Sequence, residues 1–200
     1  NLFGSLGSDR IFGLGGDDII SSNDGNDSVF GGSGADIIIA GAGNDIVNGG
    51  GGDDYLDGSS GADIMLGGPG DDTFVVDNQS DPPTEVLSRG AGGHDTINTH
   101  LSFTIPNNIE NIVALGSESL DLEGNNLDNV IEGNSGHNEL RGLEGSDILV
   151  GLSGDDILNG GSGRDQMSGG SGDDIYFVDT RSDIIYEQQS DGYDSVFSTS

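Results

Sequence analysis

A large apolar residue returns at every ninth position along most of this chain. One run is Ile11, Ile20, Val29, Ile38, Val47, Leu56, Met65 and Phe74; a second is Ile131, Leu140, Leu149, Leu158, Met167 and Tyr176. A nine-residue period fits neither a 3.6-residue helix nor an uninterrupted two-residue strand alternation. Glycines and acids fill the intervals. The pattern predicts three-residue strands separated by six-residue turns, each strand burying one side chain, in a repeat architecture with a narrow core.

Aligned on that period, two more columns stand out. In the first run the units begin at Gly4, Gly13, Ser22, Gly31, Ala40, Gly49, Gly58 and Gly67. Position four is glycine throughout: Gly7, Gly16, Gly25, Gly34, Gly43, Gly52, Gly61 and Gly70. Position six is aspartate throughout: Asp9, Asp18, Asp27, Asp36, Asp45, Asp54, Asp63 and Asp72. The unit reads Gly-Gly-x-Gly-x-Asp-x-U-x, with U apolar, as in Gly31 to Ile39. The second run begins at Gly124, Gly133, Gly142, Gly151, Gly160 and Gly169. Its sixth position passes from Asn129 and Asn138 to Asp147, Asp156, Asp165 and Asp174, and the last four units keep Gly145, Gly154, Gly163 and Gly172. Random glycine-rich sequence does not hold three columns in phase over such lengths.

Each part of the unit has a physical task. Glycine at positions one, two and four is expected to permit positive φ and turn carbonyls inward. Aspartate at position six adds a hard anionic oxygen beside them. Calcium takes about six to eight oxygens at roughly 2.3–2.6 Å, more than one such turn offers but within reach of two stacked turns. With two units per coil, alternate aspartates should share a side, and each ion should bridge neighbours in a column. Ligand counting then allows up to about six calcium ions in the first array and about four in the second, more weakly at its asparagine end.

The expected fold is all-β: a parallel β-roll, or β-solenoid, of calcium-binding repeats in two arrays joined by an acidic connector. Residues 1–75 form the first array, and Pro82-Pro83 stops it, because proline cannot continue a ladder. Residues 76–105 form the connector. Residues 106–177 form the second roll, with lead-in turns without metal loops at 106–123 and repeats at 124–177. Counting back by nines from Ile131 places Leu122 and Val113 in the buried column of that lead-in. Residues 178–200 form a second, truncated connector. The two connectors are copies: Asp77, Asp81, Glu85 and Asp95 recur as Asp179, Asp183, Glu187 and Asp194. They are either a further calcium site at the end of each array or solvated loops duplicated with the rest. Asn1-Leu2-Phe3 reads as the last three positions of another unit, so a longer protein is expected.

Charge narrows the partners. Acidic residues outnumber basic ones 36 to 5, and the chain has no Lys and no Cys. Such a surface repels nucleic acid, and no apolar run reaches membrane-spanning length. The apolar fraction of 32% and net charge of −31 lie close to the disordered class, so the metal-free chain is expected to be unfolded.

These units resemble the nonapeptides of the repeats-in-toxin (RTX), or haemolysin-type calcium-binding, family. Ile109 to Leu115 likewise resembles connectors between blocks of such repeats. The resemblance implies a secreted, extracellular bacterial protein, exported by a type I secretion apparatus and folding in external calcium. The chain departs from the family pattern at Leu127, which takes the place of the fourth-position glycine, and at Asn129 and Asn138.

Catalysis is not expected. His94, His100 and His137 lack zinc-ligand spacing, and no nucleophile elbow or phosphate loop is present. An enzyme domain elsewhere in the full-length protein would leave no trace here. The alternative reading is a carbohydrate- or surface-binding adhesin or accessory module of an extracellular enzyme. Phe12, Phe30, Ile46, Ile64 and Leu66 on one outward face, with Ile19, Ile37, Ile39 and Tyr55 on the other, would suit docking of a neighbouring domain or self-association, or simply reflect β-propensity. Ice binding would require a flat Thr/Asn column, which is missing.

Overall fold

A computed structural model describes residues 1–85, 92–188 and 192–198. The parts of the two expected connectors at 86–91, 189–191 and 199–200 lie outside the described residues. Regular structure among those described is entirely β-strand, and the strands pair in parallel. Parallel neighbours need a crossover, and here a turn of coil supplies it instead of a helix. The chain is a β-solenoid that divides into two units: Asn1–Asn98 with Pro106–Ile109, and Thr99–Ile105 with Glu110–Ser200.

In the first unit one sheet stacks Leu2–Phe3, Ile19–Ser21, Ile37–Ile39, Tyr55–Asp57 and Thr73–Val76. The other stacks Arg10–Gly15, Ser28–Ser33, Ile46–Gly51 and Ile64–Leu66. Register sets Ile20 against Ile38, Ile38 against Leu56 and Leu56 against Phe74, so two nonapeptides make one coil. The middle residue of each strand points inward. Ile20, Val29, Ile38, Val47, Leu56 and Met65 are wholly buried, while Ile37 and Ile39 on either side of Ile38 are exposed. Each inward side chain contributes ~1.5–3 kcal/mol. That thin column, extended by Phe74, Val76 and Ile97, dominates the apolar core among the described residues, and the turns must be stable by other means.

In the second unit one sheet includes Asn111–Ala114, Val130–Glu132, Ile148–Ser153, Gln166–Ser171 and Ile184–Ile185. The facing sheet runs through Phe103–Thr104, Asp121–Glu123, Glu139–Arg141, Ile157–Asn159, Ile175–Val178 and Ser195–Ser198. Counting by nines fails once here. The residue opposite Ile131 is Ile112, which is buried, whereas the expected Val113 is half-buried and points outward. Ile112 precedes Leu122, the buried residue of the next strand, by ten positions rather than nine, because strand Asn111–Ala114 is one residue longer than the usual three-residue strand. A one-residue slip reverses the face of a strand.

The glycines also divide differently from expectation. Positions two and four adopt positive φ, for example +120° at Gly32 and +116° at Gly34. Position two nevertheless tolerates Leu14, Asn23, Ser59, Leu143 and Leu152 in the left-handed region. Position one does not need positive φ at all. A Cβ on Gly31 would strike the Asp36 carboxylate and lie 2.5 Å from the Gly49 carbonyl oxygen. Its requirement is space, not conformation.

Candidate metal centre

Stacking by whole coils draws alternate aspartates into two columns in the first unit. Within a column each Asp backbone N–H donates to Oδ1 of the Asp one coil later: Asp9 to Asp27, Asp27 to Asp45 and Asp45 to Asp63 at 2.7–2.8 Å. The other column runs Asp18, Asp36, Asp54 and Asp72 in the same way. In the second unit Asp147 bonds Asp165, and Asp156 bonds Asp174. The position-four glycines pack turn upon turn. A Cβ on Gly25, Gly34, Gly43, Gly52, Gly61, Gly70, Gly145, Gly154, Gly163 or Gly172 would meet the backbone of the turn before, and only Gly7 and Gly16, in the opening turns, have open space there.

One oxygen of each rung is left over. Oδ2 of Asp27, Asp36, Asp45, Asp54, Asp63 and Asp72 is buried with no hydrogen-bond partner, as is Oδ2 of Asp147, Asp156, Asp165 and Asp174. Asp9 and Asp18, in the opening turns, are only half-buried. An uncompensated buried carboxylate costs several kcal/mol, so a lattice of them is untenable for the protein alone. The available donors are carboxylate and carbonyl oxygens, without thiolate or imidazole. That set suits a hard cation such as calcium. The residues fit the metal.

Electrostatics point the same way. Burial, then the neighbouring aspartates of the column, push the Asp54 carboxyl up to about 6, Asp63 to about 7 and Asp72 to about 8. Burial likewise raises Asp147 to about 7 and Asp174 to about 6. Backbone N–H donation opposes these shifts but does not cancel them.

The asparagine rungs are built otherwise. Asn129 Nδ2 donates to the Glu110 carbonyl at 3.0 Å and to Asn125 Oδ1 at 3.2 Å, while its Oδ1 accepts from the Asn125 N–H. Asn138 Nδ2 donates to the Gly136 carbonyl at 2.5 Å, and Asn134 reaches the carbonyls of Leu115 and Glu118. A side-chain amide fills the space with its own donors, although Asn138 Oδ1 is buried without a partner, as the aspartate Oδ2 atoms are. Leu127, where the fourth glycine should be, donates its N–H to Asn125 Oδ1.

The connector acids divide between the two columns of each unit. Asp81 Oδ1 accepts from Asp63 N–H, so Asp81 is the next rung of that column, with Asp77 beside it. Asp95 extends the other column by accepting from Asp72 N–H. In the second unit Asp183 follows Asp165 and Asp194 follows Asp174. Every column thus runs one rung beyond the repeats. His137 has a positional role: it occupies position five, and its Nδ1 accepts the Asp155 N–H at 2.7 Å, where Asp17, Asn26 and Asn44 do the same in other turns.

Compared with known families, the chain matches the one described as RTX calcium-binding nonapeptide repeat (four copies) over residues 3–38, 30–65, 39–74, 48–81, 123–158, 141–176 and 150–185. No curated protein gives a significant match.

Proposed function

Because the chain belongs to the RTX calcium-binding nonapeptide repeat family, we propose that it is the calcium-triggered folding module of a larger secreted bacterial protein, with no catalytic role of its own. The observation that carries this reading is the set of buried Oδ2 atoms without partners in successive rungs. Bound calcium would supply the positive charge those oxygens lack. The chain's own residues do the rest: backbone N–H groups orient each carboxylate, tight glycines let turns approach, and the apolar column fixes the register. Because the rungs repel without metal, folding and binding are one event. Each site at tenfold excess over its dissociation constant adds ~1.4 kcal/mol, so many weak sites suffice.

Such coupling suits a protein that crosses a calcium-poor compartment unfolded and coils outside, which is why export through a type I apparatus belongs to this reading. The rival carbohydrate-binding reading gains little. The Phe12 and Phe30 rings stack at 5.1 Å, but the Arg10 guanidinium lies over both, so they offer no open platform for a sugar. Circular dichroism and calorimetric titration test the proposal: at neutral pH and above, strand signal should appear only with millimolar calcium, alongside uptake of several ions per chain. Equal strand content in chelator would overturn it.

A further inference from the structure

The last repeat of each array lacks a following turn of the same kind, and the way it is finished points to a separate site. Inside the arrays, the space beside a position-one glycine is shared by the position-six carboxylate and a carbonyl oxygen from the next coil. At Gly142 these are Asp147 Oδ2 and the Gly160 carbonyl; at Gly151 they are Asp156 Oδ2 and the Gly169 carbonyl. At the final units a side chain takes the place of that carbonyl. Beside Gly67 it is Glu85 Oε1, which accepts the N–H groups of Gly67 and Gly68 at 3.0 and 3.1 Å. Beside Gly169 it is the Tyr176 hydroxyl, which accepts the Gly169 N–H at 2.6 Å and donates to Glu187.

A glutamate is therefore delivered to the closing rung twice, by different routes. In the second unit Asp174, Glu187 and Asp194 bring carboxylate oxygens within 4.8 Å of one another. Asp174 is fully buried, and its Oδ2 has no partner. In the first unit Asp72 Oδ2 and Glu85 Oε1 border the same point beside Gly67, and Asp95 Oδ1 accepts the Asp72 N–H at 2.9 Å, so the same three residue types close that array.

We propose that Asp174, Glu187 and Asp194 form a closing cation site, distinct from the sites between repeats, and that Asp72, Glu85 and Asp95 form its counterpart. The ligand class is a hard divalent cation, calcium above all, since every donor is an oxygen. Glu187 substitutes for the backbone oxygens that a further repeat would have offered, so the array ends with its last carboxylate neutralised. Tyr176 is a positioning residue: its hydroxyl takes up the Gly169 amide and holds Glu187 at the rung.

This site rests on the calcium-module reading, and the test separates the two. Calcium bound per chain is counted by native mass spectrometry and calorimetry for the unsubstituted chain, Glu187→Gln, Glu85→Gln and the double variant. Each single variant should hold one ion fewer, and the double variant two fewer, with unchanged far-UV dichroism in saturating calcium. An undiminished count in both single variants overturns the closing sites while leaving the module reading intact. No uptake by the unsubstituted chain overturns the module reading itself. If Glu187→Gln loses strand signal, Glu187→Asp decides: the shortened carboxylate keeps the charge and should weaken one ion at least tenfold. Unchanged affinity at every site would overturn the proposal.

Discussion

Asp54 and Asn129 hold the same position in the same kind of turn, yet they solve opposite problems. Asp54 keeps one oxygen on a backbone amide and leaves the other buried and unanswered. Asn129 turns its amide group to the Glu110 carbonyl and to Asn125, and so closes the turn with protein atoms alone. One atom, oxygen or nitrogen, decides whether a turn is a cation site or a self-sufficient fold element. The coil therefore contains turns that depend on metal and turns that hold one another.

The largest test of that contrast is pH in the presence of a chelator. Asp54, Asp63 and Asp72 have folded-state values of about 6, 7 and 8 against an ordinary 3.8. A carboxyl raised on folding favours the folded state fully below the unfolded value, and that contribution is lost as pH rises through the folded value. Chelated protein should therefore gain strand signal as pH is lowered from about 8 to about 4. With calcium present the direction reverses, because protons compete for the same oxygens and the calcium midpoint should rise. Hydrogen exchange resolves the two kinds of turn: amides of residues 124–141 should change least with pH. A uniform response along both arrays would erase the distinction.

A smaller effect follows from converting the asparagine turns. In the chelated, acid-folded protein, Asn129→Asp with Asn138→Asp exchanges hydrogen bonds for opposed oxygens and should destabilise the second unit by ~1–3 kcal/mol per site, so that its strand signal is lost at lower pH. In calcium the same variant should take up additional ions, read by calorimetry. The reverse change is the mildest. Asp54→Asn should lower calcium uptake by one or two ions while stabilising the acid-folded chelated coil by about 1 kcal/mol, read as strand signal that persists to higher pH.

Much of this was open to sequence reading because the period is rigid. The 18-residue coil follows from Ile20, Ile38 and Leu56 repeating in phase, and the inward side chains follow from the apolar column. Asp81 and Asp183 lie one further coil after Asp63 and Asp165, and counting could have found them. Asp95 and Asp194 could not be counted, because longer loops intervene before each rejoins its column. The Val113 error has a related origin, one extra residue in strand Asn111–Ala114 that the period does not reveal. The asparagine network was hidden for another reason: its acceptors are main-chain carbonyls at Glu110, Leu115 and Glu118, and a carbonyl has no sequence signature. The role of the position-one glycine was misassigned because crowding by Asp36 exists only once turns stack.

The ladder of amide donors also has a polarity. Asp9 is secured by Asp27, Asp27 by Asp45 and Asp45 by Asp63, always by the successor and never by the predecessor. Trimming coils from the amino-terminal side leaves every surviving aspartate amide answered, whereas trimming from the carboxy-terminal side strands one in each column. The amide that follows each aspartate looks the other way, as Ser28 does to the Asp9 carbonyl and Ile46 to that of Asp27. As far as its carboxylates are concerned, an array of this design must be finished at its back.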